Sequence, residues 1–192
     1  VVNDFDQNGA LDPILAQRQN GKHIPWVMKN SLLRQIPSLK KQLVTYATYK
    51  DKALEELFPE AIWANSLILP LDRLQTSLWI NQGKGHLVEE ILPSEVQSAP
   101  IYASALISRP GKSPLLIVGG NQSRIKPELG SQLGSYGWVL EAKNNSWQAL
   151  LPEQSGLFVP GEIRDIQVIE IANQSNLLVL RNNDTPLLFA IR

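Results

Sequence analysis

Asp4-Phe5-Asp6-Gln7-Asn8-Gly9-Ala10-Leu11-Asp12 is the most informative stretch of this sequence, with the pattern D-x-D-x-N-G-x-x-D. Side chains that carry oxygen ligands occupy alternate positions at Asp4, Asp6 and Asn8, so all three can turn inward around one hard cation. The residues on both sides of the stretch are apolar, as in short β-strands. The pattern therefore predicts a strand–loop–strand turn that binds a metal ion.

The second half of the stretch completes the expected ligand set. Gly9 permits a sharp reversal that directs the carbonyl oxygen of Ala10 at the ion, and Asp12 closes the site. Carboxylate, amide and carbonyl oxygens in this number suit Ca²⁺ better than Mg²⁺, which needs tighter geometry and keeps more water. We therefore predict Ca²⁺ as the cofactor, with the ligands Asp4, Asp6, Asn8, the Ala10 carbonyl and Asp12.

Two simpler interpretations of the same stretch stay open. An acidic turn can cap a strand through side-chain hydrogen bonds without any metal. Alternatively, Asp12 can be a helix N-cap with Pro13 at the first helical position. An EF-hand is disfavoured because its twelfth loop position needs a bidentate Glu, and this position is Leu15 here.

Composition excludes several classes of protein. The 192 residues contain 18 Lys and Arg against 18 Asp and Glu, so the net charge is zero. This balance argues against a nucleic-acid footprint and against a polybasic membrane surface. The absence of Cys excludes a disulfide scaffold, zinc–thiolate sites and thiol nucleophiles. No apolar run approaches the roughly 18 residues of a membrane span, so we predict no transmembrane segment.

Most of the chain has the pattern of short β-strands bounded by turn residues. The predicted strands are Val1-Val2, Ile14 to Ala16, Ile24 to Val27, Thr76 to Ile80, Leu87 to Ile91, Ile101 to Ile107, Leu115 to Val118, Trp138 to Leu140, Trp147 to Leu151, Val168 to Ile171, Leu177 to Leu180 and Leu187 to Ile191. Many strands separated by Gly- and Asn-containing turns indicate an all-β sandwich, barrel or propeller.

The segment 29–65 departs from this pattern and is predicted to be a helical insertion. Its apolar residues recur at spacings of three and four, which is the period of an amphipathic helix. We predict two or three short helices, the second starting at Pro37 or Ser38 and the third at a capping box that begins with Thr48. The side chains expected to face protein are Leu32, Leu33, Ile36, Leu39, Leu43, Leu54, Leu57 and Phe58.

A weak internal repeat accompanies the acidic stretch. A shift of 102 residues places Gly9 on Gly111, and a further shift of 62 aligns Leu115 to Val118 with Leu177 to Leu180. The two shifts differ by 40 residues, close to the length of the helical insertion. A unit of about 60 residues built from several strands indicates propeller blades. The first copy alone keeps its carboxylates.

The sequence resembles FG-GAP/VCBS-repeat β-propellers, and most closely the C-terminal part of large exported bacterial VCBS-repeat proteins. The residues that carry the resemblance are the acidic stretch Asn3 to Pro13, Ser38-Leu39-Lys40-Lys41, Leu116 to Asn121, Ser155-Gly156, Val159 to Asp165 and Arg181 to Asp184. The resemblance implies a propeller fold, bound calcium, export and a non-enzymatic binding role. The sequence departs from the family pattern at Ser108 to Pro114, a turn that has none of the usual acidic ligands.

Other residue patterns give weaker signals. His23 and His86 have no Cys or second His nearby and are predicted to be surface strand residues. Glu55-Glu56 are adjacent, so they do not share a helical face, and we expect them to be solvated. Gly119-Gly120 either permits the close approach of a ligand or forms a turn between blades, and we expect the turn.

The sequence therefore predicts an all-β fold, a partial β-propeller of about three antiparallel blades that spans 1–192 and carries the small helical insertion 29–65. The predicted function is that of a non-catalytic, calcium-stabilised binding or scaffold segment of an exported bacterial protein. It would be extracellular, periplasmic or in the cell envelope. Expected partners are further blades of the parent chain or a second copy, with a protein or carbohydrate ligand. A polysaccharide-active enzyme domain and an integrin-like adhesion module are the alternatives.

Overall fold

The computed structural model describes residues 1–144 and 146–191. The chain divides into two compact units, Val1–Arg73 and Leu74–Arg192. Strands make up 37% of the residues and helices 19%. The strands form several small antiparallel sheets, and no closed barrel is present in the part of the chain that the structure describes. The mostly β composition expected from the sequence is thus confirmed.

Unit 1 begins with two short antiparallel strand pairs. The strands are β1 (Val2–Asn3), β2 (Asp12–Pro13), β3 (Ala16–Gln19) and β4 (Lys22–Pro25). β1 pairs with β2, which places Asn3 opposite Asp12 and makes 4–11 the connecting loop. β3 and β4 form a hairpin through Asn20-Gly21, where both residues have positive φ. Positive φ at both central positions matches the right-handed twist of the strands that the turn joins.

The strands of unit 1 are followed by short helices, as the period of the sequence predicts, but the described residues form five helical segments where two or three are expected. They are α1 (Lys29–Gln35), a 3₁₀-helix (Pro37–Lys41), α2 (Tyr46–Tyr49), α3 (Leu54–Leu57) and α4 (Glu60–Trp63). The predicted helix start at Thr48 is wrong. Thr45 caps α2 by exchanging hydrogen bonds with Thr48, and α3 begins only after Ala53. Asp51 separates the two helices because its φ of 60° is left-handed and does not continue a helix.

The helices supply most of the hydrophobic core of unit 1. Buried residues of this core are Phe5, Ile14, Leu32, Ile36, Leu39, Leu43, Leu54, Leu57 and Phe58, and Leu33 packs against them half-buried. The predicted apolar face of the helices is therefore confirmed. Phe5 lies within the acidic loop and stacks on Phe58 with ring centroids 4.2 Å apart. The acidic loop therefore packs against the helical segment through Phe5.

Unit 2 contains three antiparallel sheets in chain order. The strands are β5 (Ser77–Asn81), β6 (Leu87–Ile91), β7 (Ile101–Ile107), β8 (Leu115–Gly120), β9 (Trp138–Lys143), β10 (Ser146–Leu150), β11 (Ile163–Ile171), β12 (Gln174–Arg181) and β13 (Leu187–Ala190). β5 and β6 form a hairpin, β7 to β10 form a four-stranded meander, and β11 to β13 form a three-stranded meander. Two 3₁₀-helices (Ser94–Ser98, Pro127–Leu129) and α5 (Pro152–Ser155) lie in the connections.

Alternating apolar residues bury both faces of the four-stranded sheet. On one face Ile117 and Val139 pack with Ile163, Ile166 and other residues of the three-stranded sheet. On the other face, Leu116, Val118 and Leu140 of the sheet pack with Leu92 and Val96 of the segment after β6. Leu78 of β5 packs against this second cluster. Successive side chains of a strand point to opposite faces, so one strand serves two cores.

Several strand ends differ from the sequence prediction. Ile14 is buried in the core of unit 1 and precedes β3, while β4 spans Lys22–Pro25 and ends before Val27. β11 and β12 are longer than predicted, with nine and eight residues. Their pairing runs up to Ile171 opposite Gln174, so both strands extend to the turn.

The internal repeat of the sequence is visible in the backbone conformation of the turns but not in the way the flanking strands pair. The aligned residues Gly9, Gly111 and Asn173 all have positive φ, of 89°, 69° and 60°. A shift of 102 residues from the β1–β2 pair would place Ser104 opposite Leu115, but Ser104 pairs with Val118. The three turns thus share a left-handed residue, while each hairpin has its own register.

Gly119 and Gly120 end strand β8, and the expected turn between blades is wrong. A Cβ on Gly120 would lie 1.7 Å from the carbonyl oxygen of Pro100, and one on Gly119 would lie 2.4 Å from Cδ1 of Ile163. These glycines therefore permit a close approach of the protein to itself. The absence of a side chain at both positions lets the chain before β7 and the first residue of β11 pack tightly on β8.

We expect Gly120→Ala to lower the free energy of unfolding of unit 2 by about 3 kcal/mol or more, because backbone atoms would have to move to admit the new methyl group. Gly156→Ala is the matched control. Its φ of 70° is strained for Ala, but no atom lies within 4 Å of the added Cβ. The control should lose only about 1–2 kcal/mol. Urea unfolding measures both, and equal losses would contradict the role assigned to Gly120.

Candidate metal centre

The acidic loop of unit 1 is fixed at both ends. Asn3 of β1 donates from Nδ2 to the carbonyl oxygen of Ile62 at 2.6 Å, and its Oδ1 accepts from the backbone N–H of Asp4 at 2.9 Å. Phe5 is 3% exposed in the hydrophobic core. The loop returns at Asp12, which pairs with Asn3 across the sheet. The flanking strands and a buried aromatic ring therefore set the position of the loop.

Hydrogen bonds inside the loop organise its tip. The two carboxylate oxygens of Asp4 accept from the backbone N–H groups of Asn8 at 2.9 Å and Gly9 at 2.8 Å. Oδ1 of Asn8 accepts from the N–H of Ala10 at 2.8 Å. Gln7 and Gly9 have positive φ, of 57° and 89°, and reverse the chain. The reversal predicted at Gly9 is thus present.

The loop brings three carboxylates together. Asp4, Asp6 and Asp12 each offer an oxygen, and these oxygens lie within 4.8 Å of one another. Asp12 is 6% exposed, and its Oδ2 accepts from the N–H of Phe5 at 3.3 Å. Like charges at this spacing repel one another unless a cation or protons neutralise them.

Oδ1 of Asp6 is the atom of the cluster that most directly indicates a ligand. It is buried and has no hydrogen-bond partner. A buried carboxylate oxygen without a donor is unfavourable, whereas a metal ion would satisfy it. The donor set of this loop therefore fits a hard cation, which prefers carboxylate oxygens.

Three of the five predicted ligand positions lie close together in the structure. Asp4, Asp6 and Asp12 are gathered as the sequence predicts. Asn8 and Ala10 lie in the same loop, where Oδ1 of Asn8 accepts from the N–H of Ala10 and the N–H of Asn8 donates to Asp4. Their role as ligands stays a prediction, and so does the choice of Ca²⁺ over other hard cations.

A second polar cluster lies in unit 2 and was not predicted from the sequence. Glu162 is buried, and its Oε1 accepts from the N–H of Ser123, while its Oε2 accepts from Arg164 at 2.7 Å and Asn182 at 2.8 Å. Asn121, 2% exposed, donates to the carbonyl oxygens of Ser135 at 2.6 Å and Gly161 at 2.7 Å. Arg164 also donates to the carbonyl oxygen of Asn121 at 2.9 Å.

The Glu162 cluster is a structural junction. Hydrogen bonding from Ser123 and Asn182, with the charge of Arg164, lowers the pKa of Glu162 from 4.5 to about 2. Both oxygens of its carboxylate already have protein donors. The cluster joins the loop after β8 to the start of β11 and the turn after β12. Sequence spacing gives no signal for it, because its partners are separated by up to 43 residues.

His23 and Glu55 form a contact that differs from the sequence prediction. Nδ1 of His23 and Oε1 of Glu55 lie 2.6 Å apart, and the ring of His23 lies 5.4 Å from that of Trp63. Burial raises the pKa of Glu55, but hydrogen bonds from His23 and from the backbone N–H of Glu55 itself, with electrostatic attraction to His23, together lower it more, so the net pKa lies below its ordinary value. Glu56 pairs with Lys22 at 2.7 Å. These groups therefore fasten α3 to β4, and His23 is half-buried.

No helix in the described residues is long and apolar enough to cross a membrane. Comparisons with protein-family models, with curated proteins and with solved structures found no match. Any assignment of function to this chain is therefore argued from its own residues.

The stabilisation that the Glu162 carboxylate provides should depend on pH. Because its folded pKa is about 2 and its ordinary value is 4.5, the stabilisation is complete above pH 4.5 and is lost as the pH falls through 4.5 toward 2. Glu162→Gln should therefore be less stable than the wild type at neutral pH, and the difference should shrink in acid. Unfolding measured from neutral pH to about pH 2.5 tests this.

Glu153→Gln is the control, since Glu153 is exposed in α5. Its difference from the wild type should be small at every pH. A Glu162→Gln difference that does not change between neutral and acid pH would mean that the charge of Glu162 contributes nothing.

Proposed function

We propose that this chain is a non-catalytic, calcium-stabilised binding or scaffold segment of an exported bacterial β-propeller protein. The observation that carries the proposal is the gathering of Asp4, Asp6 and Asp12, with Oδ1 of Asp6 buried and unpartnered. Ca²⁺ would neutralise the three carboxylates and hold the loop between β1 and β2. The ion would then contribute to folding in proportion to how tightly the folded loop binds it.

The sheets of unit 2 support the propeller part of the proposal. β7 to β10 form an up-and-down meander of four antiparallel strands, as a propeller blade does. This sheet packs on one side against the three-stranded sheet and on the other against the region of β5 and β6. Sheets that follow one another along the chain and stack face to face are the basic arrangement of a propeller. These sheets would belong to a partial propeller of about three blades that spans 1–192.

A structural role for the metal agrees with the way the loop is built. The oxygens of Asp4 and Asp12 accept hydrogen bonds from backbone N–H groups of the loop itself. A cation held there would order the loop, as in a strand–loop–strand turn. His23 and Glu55, which also lie in unit 1, pair with each other and hold α3 to β4.

Partners and location belong to the same proposal. Large apolar side chains are exposed along the end of unit 1, at Leu67, Ile68, Leu69 and Leu71. Leu67 makes an isolated antiparallel bridge to Val2, so the backbone at this one residue pairs with β1. Further blades of the parent chain or a second copy would cover such a surface, outside the cytoplasm in the envelope or the extracellular space.

Calcium should raise the melting temperature of the wild type, and a chelator should reverse the effect. Calcium at a hundredfold excess over its Kd would add about 2.7 kcal/mol to the free energy of unfolding. Asp6→Asn should remove most of this increment. In chelator the same variant should be at least as stable as the wild type, because one of three neighbouring negative charges is gone.

Asp72→Asn is the matched control, since Asp72 is exposed and outside the cluster. It should keep the full calcium increment. Mg²⁺ at the same concentration should give a smaller increment, because it fits an irregular oxygen site less well. Equal melting temperatures of the wild type in calcium and in chelator would identify the loop as an acidic turn without a metal.

A further inference from the structure

An open cavity of about 500 Å³ lies on unit 1, away from the acidic loop in sequence. It is lined by Asn30, Leu33 and Arg34 of α1 and by Lys40 of the following 3₁₀-helix. The three α1 residues have the spacing i, i+3 and i+4, so they form one stripe on the helix. Leu32, which is fully buried, lies on the other side of α1 in the core.

The stretch of sequence that lines this cavity has an excess of positive charge, although the whole chain is neutral. Residues 13–50 contain no Asp or Glu. The same stretch contains seven basic residues, Arg18, Lys22, Lys29, Arg34, Lys40, Lys41 and Lys50. A run of cations without any acid produces a locally positive surface that attracts anions.

Some of these cations have partners in the protein, but those at the cavity do not have acidic ones. Lys22 pairs with Glu56, and Nζ of Lys29 is used by the carbonyl oxygens of Leu43 and Val44. Arg34 donates a long hydrogen bond of 3.4 Å from Nη2 to Oγ of Ser31. Within the described ranges, neither Arg34 nor Lys40 forms an ion pair, and both are exposed.

We propose that this cavity binds the oxyanion group of a small ligand, a carboxylate or a phosphate. The guanidinium of Arg34 offers a planar set of donors that matches such a group with two hydrogen bonds. Lys40 adds a point charge from the other helix, and the amide of Asn30 adds a further donor. Leu33 supplies apolar contact for the body of the ligand.

The volume of the cavity is in the range of small-molecule sites. Such sites commonly measure about 300–1,000 Å³, so an open cavity of about 500 Å³ has room for a small ligand such as one sugar ring. An anionic monosaccharide unit therefore fits both the size and the charge. This inference rests on the proposed binding role and gives that role a ligand class.

The test is a titration of the wild-type chain followed by ¹⁵N NMR, with glucuronate, glucose 6-phosphate and neutral glucose as probes. The two anions should give saturable shifts at Asn30, Arg34 and Lys40, and glucose should give none. A stronger effect of glucuronate or of glucose 6-phosphate identifies the carboxylate or the phosphate as the group recognised. Binding of glucose as tight as that of both anions would overturn the proposal.

Charge-neutralising variants separate the cavity from general attraction. Arg34→Gln and Lys40→Gln should each weaken anion binding about tenfold, since each removes a charged donor. Arg18→Gln changes the net charge equally, in the exposed strand β3, and should leave binding within about twofold of the wild type. Equal losses in all three variants would show non-specific attraction and overturn the cavity as the site. Chemical-shift spectra of each variant confirm that it is folded.

Calcium and anion binding are measured separately on the same protein. Loss of the calcium-dependent rise in melting temperature with anion binding intact would reject the metal part of the proposed function and leave the cavity supported. Calcium stabilisation without any saturable shift at the cavity residues would reject the anion site alone.

Discussion

The stacking of Phe5 on Phe58 is the contact on which the acidic loop depends. Phe5 lies between Asp4 and Asp6 in sequence, and it is 3% exposed among the helices of unit 1. Its burial anchors the loop at the point where the carboxylates must converge, and the ring centroids are only 4.2 Å apart. Hydrophobic packing thus holds Asp4, Asp6 and Asp12 closer together than their charges favour. A cation would convert this opposition of packing and repulsion into a favourable interaction.

The Glu162 cluster and the acidic loop both contain buried carboxylate oxygens, but the protein compensates their charge only at Glu162. Glu162 is a buried carboxylate whose oxygens accept from Ser123, Arg164 and Asn182, so the protein itself compensates its charge. Oδ1 of Asp6 is buried without a donor. A satisfied cluster rigidifies a fold, whereas an incomplete one needs something from outside. This contrast separates a structural junction in unit 2 from a candidate ligand site in unit 1.

The sequence predicted the structural features that depend on residues close together along the chain. Apolar spacing predicted the helices of 29–65 and their buried face, and the oxygen-bearing residues at alternate positions predicted the convergence of the three Asp side chains. Contacts between distant segments were missed. His23 meets Glu55 across 32 residues, and Glu162 meets Ser123 across 39. The role of Gly120 was also missed, because the clash it avoids is with Pro100, which depends on how two strands approach.

The same helical period that builds the core of unit 1 also decides what its surface offers. Leu32 of α1 and Ile36, which follows its last residue, are fully buried, and the period of 3.6 residues places Asn30 and Arg34 on the opposite side of the helix, with the half-buried Leu33 between the two sides. Pro37 follows at the start of the 3₁₀-helix, which carries Lys40 to the same cavity. Arg34 and Lys40 lie in the acid-free run 13–50, and neither forms an ion pair in the part of the chain that the structure describes. The helical segment therefore serves the fold with one face and leaves a positively charged recess on the other.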